Sequence, residues 1–338
     1  MIRLRGDWHV CPNPLSASPY TTCQYNCVYC FVRHRESFFK QKPEFLPRRV
    51  DKVKRQLKKF EFLLEKGIPI VIGDNCEALC EAEQDFKATY ELLKILRDHD
   101  VPVVIETKGY LFDFILKILG EMNSGVNYSI TPGRDIDFAL WEPGLPTLSD
   151  RFYFVRTLKE LGIWVGIKAE PILHGITDKE ELVRDFARRC VEAGVENVNF
   201  GDLRISFPIV ADRRFREVGL DLLEIVRAKK NWRETGLRIY EILKEEGIKR
   251  VYSPDWINFG FLNDCVSCCG FDGRFGYHKF NFQYAVKLLK EKKKVCLMDL
   301  LQENPGFPED KFLEVWNNSK KYYNLSDLAQ KRGECYEI

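Results

Sequence analysis

The chain has 338 residues, 45% of them hydrophobic and 30% charged, a balance that suits a soluble α/β protein with a sizeable core and excludes a disordered chain. Its formal net charge of +2 gives no global field for nucleic acid or membrane, so any such contact must be a local patch. The N-terminal run lacks a secretory apolar segment, and no uncharged stretch reaches the ~18 apolar residues of a bilayer span. In what then reads as a cytoplasmic protein, twelve cysteines point to metal or redox chemistry rather than to a disulfide scaffold.

Along the chain, residues 1–14 read as an N-terminal segment, 15–206 as a barrel core and 207–338 as an extension that completes the barrel and covers the active site. From about residue 66, short β-rich runs alternate with amphipathic helical patterns. The runs are 68–72, 101–105, 126–130, 163–167 and 195–200, with a sixth at 249–252. Helical patterns at 84–97 and 178–192 fall between them, and Thr177-Asp178-Lys179-Glu180 has the spacing of a capping box. Apolar strands separated by helices predict a parallel sheet, and six such units curl into a partial (β/α)6 barrel of the TIM type. Polar groups follow each run: Gly73-Asp74-Asn75, Glu106-Thr107-Lys108, Ser129 with Thr131, Lys168 with Glu170, and Gly201-Asp202. Ligands of parallel α/β folds bind at that edge, so these residues predict one shared pocket. Beyond Ser206 the rhythm weakens. Residues 211–247 read as two charged helices, 253–280 as a loop rich in Gly, aromatics and Cys, and the remainder as further helices. Cys190 falls on the apolar side of a helix and reads as core.

Cys23-Gln24-Tyr25-Asn26-Cys27-Val28-Tyr29-Cys30 carries the most specific chemistry in the sequence. Three thiolates on so short a loop can wrap an iron–sulfur cube and leave one iron of a [4Fe–4S] cluster without a protein ligand. A substrate bearing an amine and a carboxylate can chelate that iron and receive an electron. Zinc is the competing reading, but the spacing is not that of paired CxxC knuckles. C-x3-C-x2-C followed by the aromatic Phe31 resembles the radical S-adenosylmethionine (SAM) superfamily. The resemblance implies that SAM chelates the open iron and is split to a 5′-deoxyadenosyl radical, which abstracts hydrogen from substrate. It also implies a one-electron reductant such as a flavodoxin or ferredoxin.

The likeness covers about residues 13–205. Asn13-Pro14 and Tyr20 precede the cysteines; Glu106-Thr107-Lys108-Gly109, Ser129-Ile130-Thr131, Trp141-Glu142-Pro143-Gly144-Leu145-Pro146 with Arg151, and Asp202-Leu203-Arg204-Ile205 follow. This order resembles the spore photoproduct lyase and DNA repair photolyase-like branch. By that resemblance Lys108 and Ser129 serve the SAM carboxylate and ribose region, and Asp74, Asn75 and Glu77 lie where the methionine amine is held. Arg151 could serve a carboxylate bidentately or, following a Ser149 helix cap, lie on the surface. Glu142 and Glu170 are further candidates. Much of the branch has Asp-Pro-Tyr-Gln-Pro-x-Glu after the second strand, whereas this chain has Asn75-Cys76-Glu77-Ala78-Leu79-Cys80-Glu81-Ala82-Glu83. In spore photoproduct lyase a cysteine near this point donates a hydrogen atom to the product radical, which implies that role for Cys76. Cys80 would sit beside Cys76 on a helix and could pair with it or ligate a metal; both could equally be small buried residues. The departure counts against ordinary thymine-dimer reversal.

Cys265, Cys268 and Cys269 form a second group. With Cys11, Cys296, Cys335 or His278 they could bind a second [4Fe–4S] cluster or zinc, or simply pack. Basic runs at 48–59, 213–230 and 290–294 read as solvated helix faces or as phosphate contacts, and the aromatic segment 271–282 could stack a base. The leading expectation is radical chemistry on a nucleobase or nucleic acid lesion. A small-molecule or peptide substrate is the alternative, and a non-catalytic metal-binding interaction protein the third.

Overall fold

The computed structural model describes residues 1–5, 11–39, 44–255, 259–260, 262–267, 274–277, 279, 281–303, 329–333 and 335–338. An eight-stranded sheet runs in chain order: β1 (Ile2–Leu4), β2 (Leu15–Ala17), β3 (Ile70–Ile72), β4 (Val103–Thr107), β5 (Ser124–Ser129), β6 (Trp164–Ile172), β7 (Asn197–Asp202) and β8 (Arg250–Tyr252). β1 pairs antiparallel with β2, and every later neighbour is parallel. All six expected strands are present. A further parallel strand, β2, precedes them, and at three residues it is too short to show a periodicity. Among the described residues β1 and β8 do not pair, so the sheet is not closed. It is nevertheless curled, because Arg3 near one edge and Tyr252 at the other line the same cavity.

Alternation along each strand divides the two faces. Ile70, Ile72, Val103, Ile105, Val126 and Ile167 pack outward into the main core, which the helices cover. The residues between them point inward. Val71, Val104 and Trp164 meet Phe275 in a small separate apolar cluster, and further along the strands the inner face turns polar, at Glu106 and its register partner Asn127 and, one step on, at Lys168 of β6.

Several local expectations are corrected. The helix expected at 84–97 is two helices, Glu83–Phe86 and Ala88–Arg97, broken at Lys87 with φ 48°. The buried Glu83 carboxylate explains the break: it accepts from Thr89 N (3.0 Å), Tyr90 N (2.8 Å) and the Tyr20 hydroxyl, and so caps the second helix. The capping box at Thr177 does not form. Thr177 Oγ1 turns back to accept from Leu173 N at 2.8 Å, and helix Glu180–Glu192 starts with no side-chain cap. The box forms instead at Thr147, which accepts from Asp150 N while Asp150 accepts from Thr147 N, opening helix Leu148–Glu160. Ser149 is therefore inside the helix. Three helices, Pro208–Glu217, Leu222–Ala228 and Trp232–Glu245, stand where two were expected. Beyond β8 come helices Phe282–Lys292 and Leu297–Gln302 and a small antiparallel sheet of residues 294–296, 330–332 and 335–337. Cys190 is fully buried in the main core. No helix among the described residues is long and apolar enough to cross a membrane.

Candidate active site

A cavity of about 700 Å³ opens at the carboxyl ends of the strands. Cys23, Cys27 and Cys30 line it together with Asp74, Asn75, Cys76, Glu77, Lys108, Ser129 and Phe31. Most of the residues singled out in the sequence thus meet in one place, as helix-bearing parallel sheets dictate.

The cysteine loop is wound tightly. Cys30 immediately precedes helix Phe31–Phe38, Cys30 N donates to Cys27 O at 3.1 Å, and Val28 N donates to Trp141 O at 2.8 Å. Two buried arginines tie the loop carbonyls. Arg33 donates to Tyr25 O (3.0 Å) and Cys23 O. Arg214, from helix Pro208–Glu217, donates to Asn26 O, Asn26 Oδ1 and Cys27 O, each at 2.9 Å. Sequence reading placed Arg214 in a basic surface run, and only its burial and these contacts reveal the clamp. Burial pushes the Cys23 thiol up to about 11 and raises the Cys27 thiol as well, so binding a metal here must displace protons. No three His, Cys, Asp or Glu side chains among the described residues converge to hold a single ion, yet these three thiols share one cavity. Soft donors spread around a space fit an iron–sulfur cube better than one zinc ion.

Across the cavity, Lys108 Nζ donates to Ser129 Oγ and to Glu170 O (3.5 Å), lies 3.3 Å from Glu142 and sits 5.5 Å over the Tyr29 ring. Burial, with Arg151 nearby, lowers its pKa to about 8. Glu77 is a brace rather than an open ligand: it accepts from Thr107 Oγ1 (2.5 Å), Lys108 N (2.7 Å) and Leu79 N (2.9 Å). Asp74 is held by Arg3 at 3.3 Å and by Asn75 Nδ2 at 2.9 Å. Arg151 is neither a cavity ligand nor a surface residue. Its side chain is 1% exposed, ion-paired with the fully buried Glu142, and it donates to Pro146 O (3.0 Å) and Ser129 O (3.2 Å) beneath the cavity wall. At the rim Asp202 takes His174 Nε2 at 2.7 Å and an ion pair from Lys229.

Cys76 lines the cavity, 6% exposed, with its thiol pushed up to about 12 by burial. Cys80 is fully buried in the main core, outside the cavity lining, and residues 76–80 are not helical. The condition under which Cys80 would lie beside Cys76, a helical stretch, is therefore not met. Cys265 is buried with its Sγ 3.3 Å from Ser267 O; Cys268, Cys269, Phe271, His278 and Phe280 lie outside the described residues. Cys296 and Cys335 form a disulfide with each other, and Cys11 lines the main cavity.

A family model of the radical SAM superfamily matches residues 17–187, just over half of the chain, and the chain belongs to that superfamily. Membership implies a [4Fe–4S] cluster and SAM, which the residues around the cavity fit. Among solved structures, spore photoproduct lyase complexed with dinucleoside spore photoproduct is similar with a TM-score of 0.57 at 16% identity, over 75% of this chain and 78% of that one. A mutant of the same lyase with bound AdoMet and the dinucleoside gives 0.55 at 16% identity, over 72% and 76%. These likenesses show the shared fold. No curated protein matches the chain.

Proposed function

We propose that the protein binds SAM over a cluster held by Cys23, Cys27 and Cys30 and directs hydrogen abstraction at a nucleobase or nucleic acid lesion. The observation that carries this is that the three thiols, the Lys108–Ser129 pair and the Cys76 thiol face one cavity. When bound, the cluster supplies the electron that cleaves SAM. The chain's own residues do the rest. Lys108 presents an ammonium to the SAM carboxylate, held in place by Glu142, itself fixed by Arg151. Asp74 and Asn75 offer acceptors to the methionine amine from the loop after β3. Tyr252, Pro254 and Gln283, all beyond the matched region, wall the cavity and limit solvent access to a radical. Cys76 stays an S–H because it is buried. Donation breaks that bond and forms a C–H bond on the substrate radical; the thiyl radical left on sulfur takes one electron from an external donor such as a flavodoxin or ferredoxin and a proton from solvent, which restores the thiol.

The nucleobase reading is supported by the fold likeness to a lyase whose complex holds a dinucleoside lesion. Its test is anaerobic SAM cleavage to 5′-deoxyadenosine by reduced, iron-reconstituted protein, with and without UV-irradiated DNA. Stimulation by the DNA is expected. Unstimulated cleavage would move the substrate to a small molecule or peptide, and no cleavage would refute the enzyme reading.

A further inference from the structure

The floor of the cavity carries an amide whose hydrogen-bonding capacity is unspent. Asn127, on β5, is 0% exposed and lines the cavity; among the described residues neither its Oδ1 nor its Nδ2 has a hydrogen-bond partner. Its register partner on β6 is Gly166, where a Cβ would come within 2.8 Å of Asn127 Oδ1, so the glycine makes room for the amide. On the same face of β7, Asn199 Oδ1 is also unpartnered, although Asn199 Nδ2 donates to Glu170 Oε1 at 2.6 Å. Buried amides in native interiors are nearly always satisfied, by protein, water or ligand.

The charged neighbours narrow the chemistry of the missing partner. Lys168 Nζ lies 3.1 Å from Glu106 Oε1 and 3.9 Å from Glu170 Oε2, so these groups are engaged with one another. Lys108 Nζ, 3.5 Å from Glu170 O, is a second ammonium here, so two carboxylates are matched by two ammoniums and the layer has no excess positive charge to draw a phosphate or carboxylate. What remains on offer is a neutral donor beside a neutral acceptor. Its complement is a planar group with acceptor and donor side by side, as on the pairing edge of a nucleobase.

We propose that Asn127 is a recognition site for the hydrogen-bonding edge of the substrate base on the cavity floor. The proposal rests on the nucleobase reading above and names the residue that reads the base. The probe is UV-irradiated thymidylyl-thymidine, titrated anaerobically into cluster-loaded protein with SAM. Asn127→Leu removes both bonds at similar volume and is expected to raise the Kd at least tenfold, with no fall in the unliganded melting midpoint. Asn127→Asp keeps the shape and an acceptor but replaces the donor, and is expected to weaken binding as well. Equal dinucleotide affinity in wild type and both variants would overturn the proposal. So would a clear drop in the unliganded midpoint, which would make the amide a structural brace. An equal loss of SAM affinity would give the amide to the cofactor's adenine and likewise overturn it. Absence of both dinucleotide binding and DNA-stimulated SAM cleavage in wild type would instead sink the nucleobase reading, and the proposal with it.

Discussion

Replacing Arg151 with Met removes the guanidinium that neutralises Glu142 while roughly keeping the bulk. Glu142 is fully buried, and Arg151 is its ion-pair partner; Lys108 at 3.3 Å is the other cation beside it. Removing one member of a buried pair leaves an uncompensated charge and costs about 3–5 kcal/mol. Because Lys108 remains, the lower end, about 3 kcal/mol at pH 8, is expected. The deficit must also depend on pH. Burial already raises the Glu142 pKa against the pull of Arg151, and without that pull it rises further above the unfolded value of 4.5. Between the two values the folded variant binds more protons than the unfolded chain, so its stability increases as pH falls. The Arg151→Met deficit therefore shrinks on going from pH 8 towards 5.5. The deficit of Glu142→Gln should not shrink as pH falls, because burial raises the wild-type Glu142 pKa: the wild type gains stability when Glu142 takes up its proton, and the variant has nothing to titrate there. Urea unfolding of the metal-free protein, followed by tryptophan fluorescence at each pH and converted through the urea slope, measures both. A deficit below about 1 kcal/mol at pH 8, or one flat with pH, would refute the reasoning.

Changing Cys23, Cys27 and Cys30 together to Ala should abolish the iron–sulfur absorbance of reconstituted protein; iron analysis reading about four per chain would instead reveal another cluster. Arg214→Met unties the carbonyls of Asn26 and Cys27, and should speed iron loss under chelator challenge relative to Arg214→Lys, which keeps one charged donor. Asp135 accepts from Leu148 N (2.6 Å), Ser149 N (3.2 Å) and Ser149 Oγ (2.7 Å) at the start of helix Leu148–Glu160. Asp135→Ala should cost about 1 kcal/mol at pH 7. Although partial burial opposes it, those bonds hold the Asp135 carboxyl below its ordinary 3.8, so this contribution is present above that value and lost as pH falls through the folded pKa. Gly166→Ala would place a Cβ 2.5 Å from the Trp164 ring, and a loss of about 1–3 kcal/mol in the same unfolding assay is expected.

What was legible in the sequence was local. Three cysteines within eight residues point to their chemistry without any fold, and Lys108 and Ser129 were singled out by resemblance, from the Glu106-Thr107-Lys108-Gly109 and Ser129-Ile130-Thr131 stretches. The run 126–130 concealed Asn127, since a strand with an apolar outer face can carry a polar residue inward without breaking its β character. Thr177 matched a capping pattern but spent its hydroxyl on Leu173, because spacing alone does not say which neighbouring amide a threonine will meet. The supports of the cysteine loop were illegible for another reason. Arg214 reaches Cys27 across 187 residues, and in sequence it is one of a pair of ordinary basic residues. The same holds for Arg151, whose role depends on Glu142 being buried beside it. Motif residues thus determine which chemistry is available, while distant buried charges determine whether the motif is held in a usable shape. The two can be separated by experiment: loss of a thiol should remove the metal outright, whereas loss of Arg214 should leave a loop that still binds iron but releases it faster.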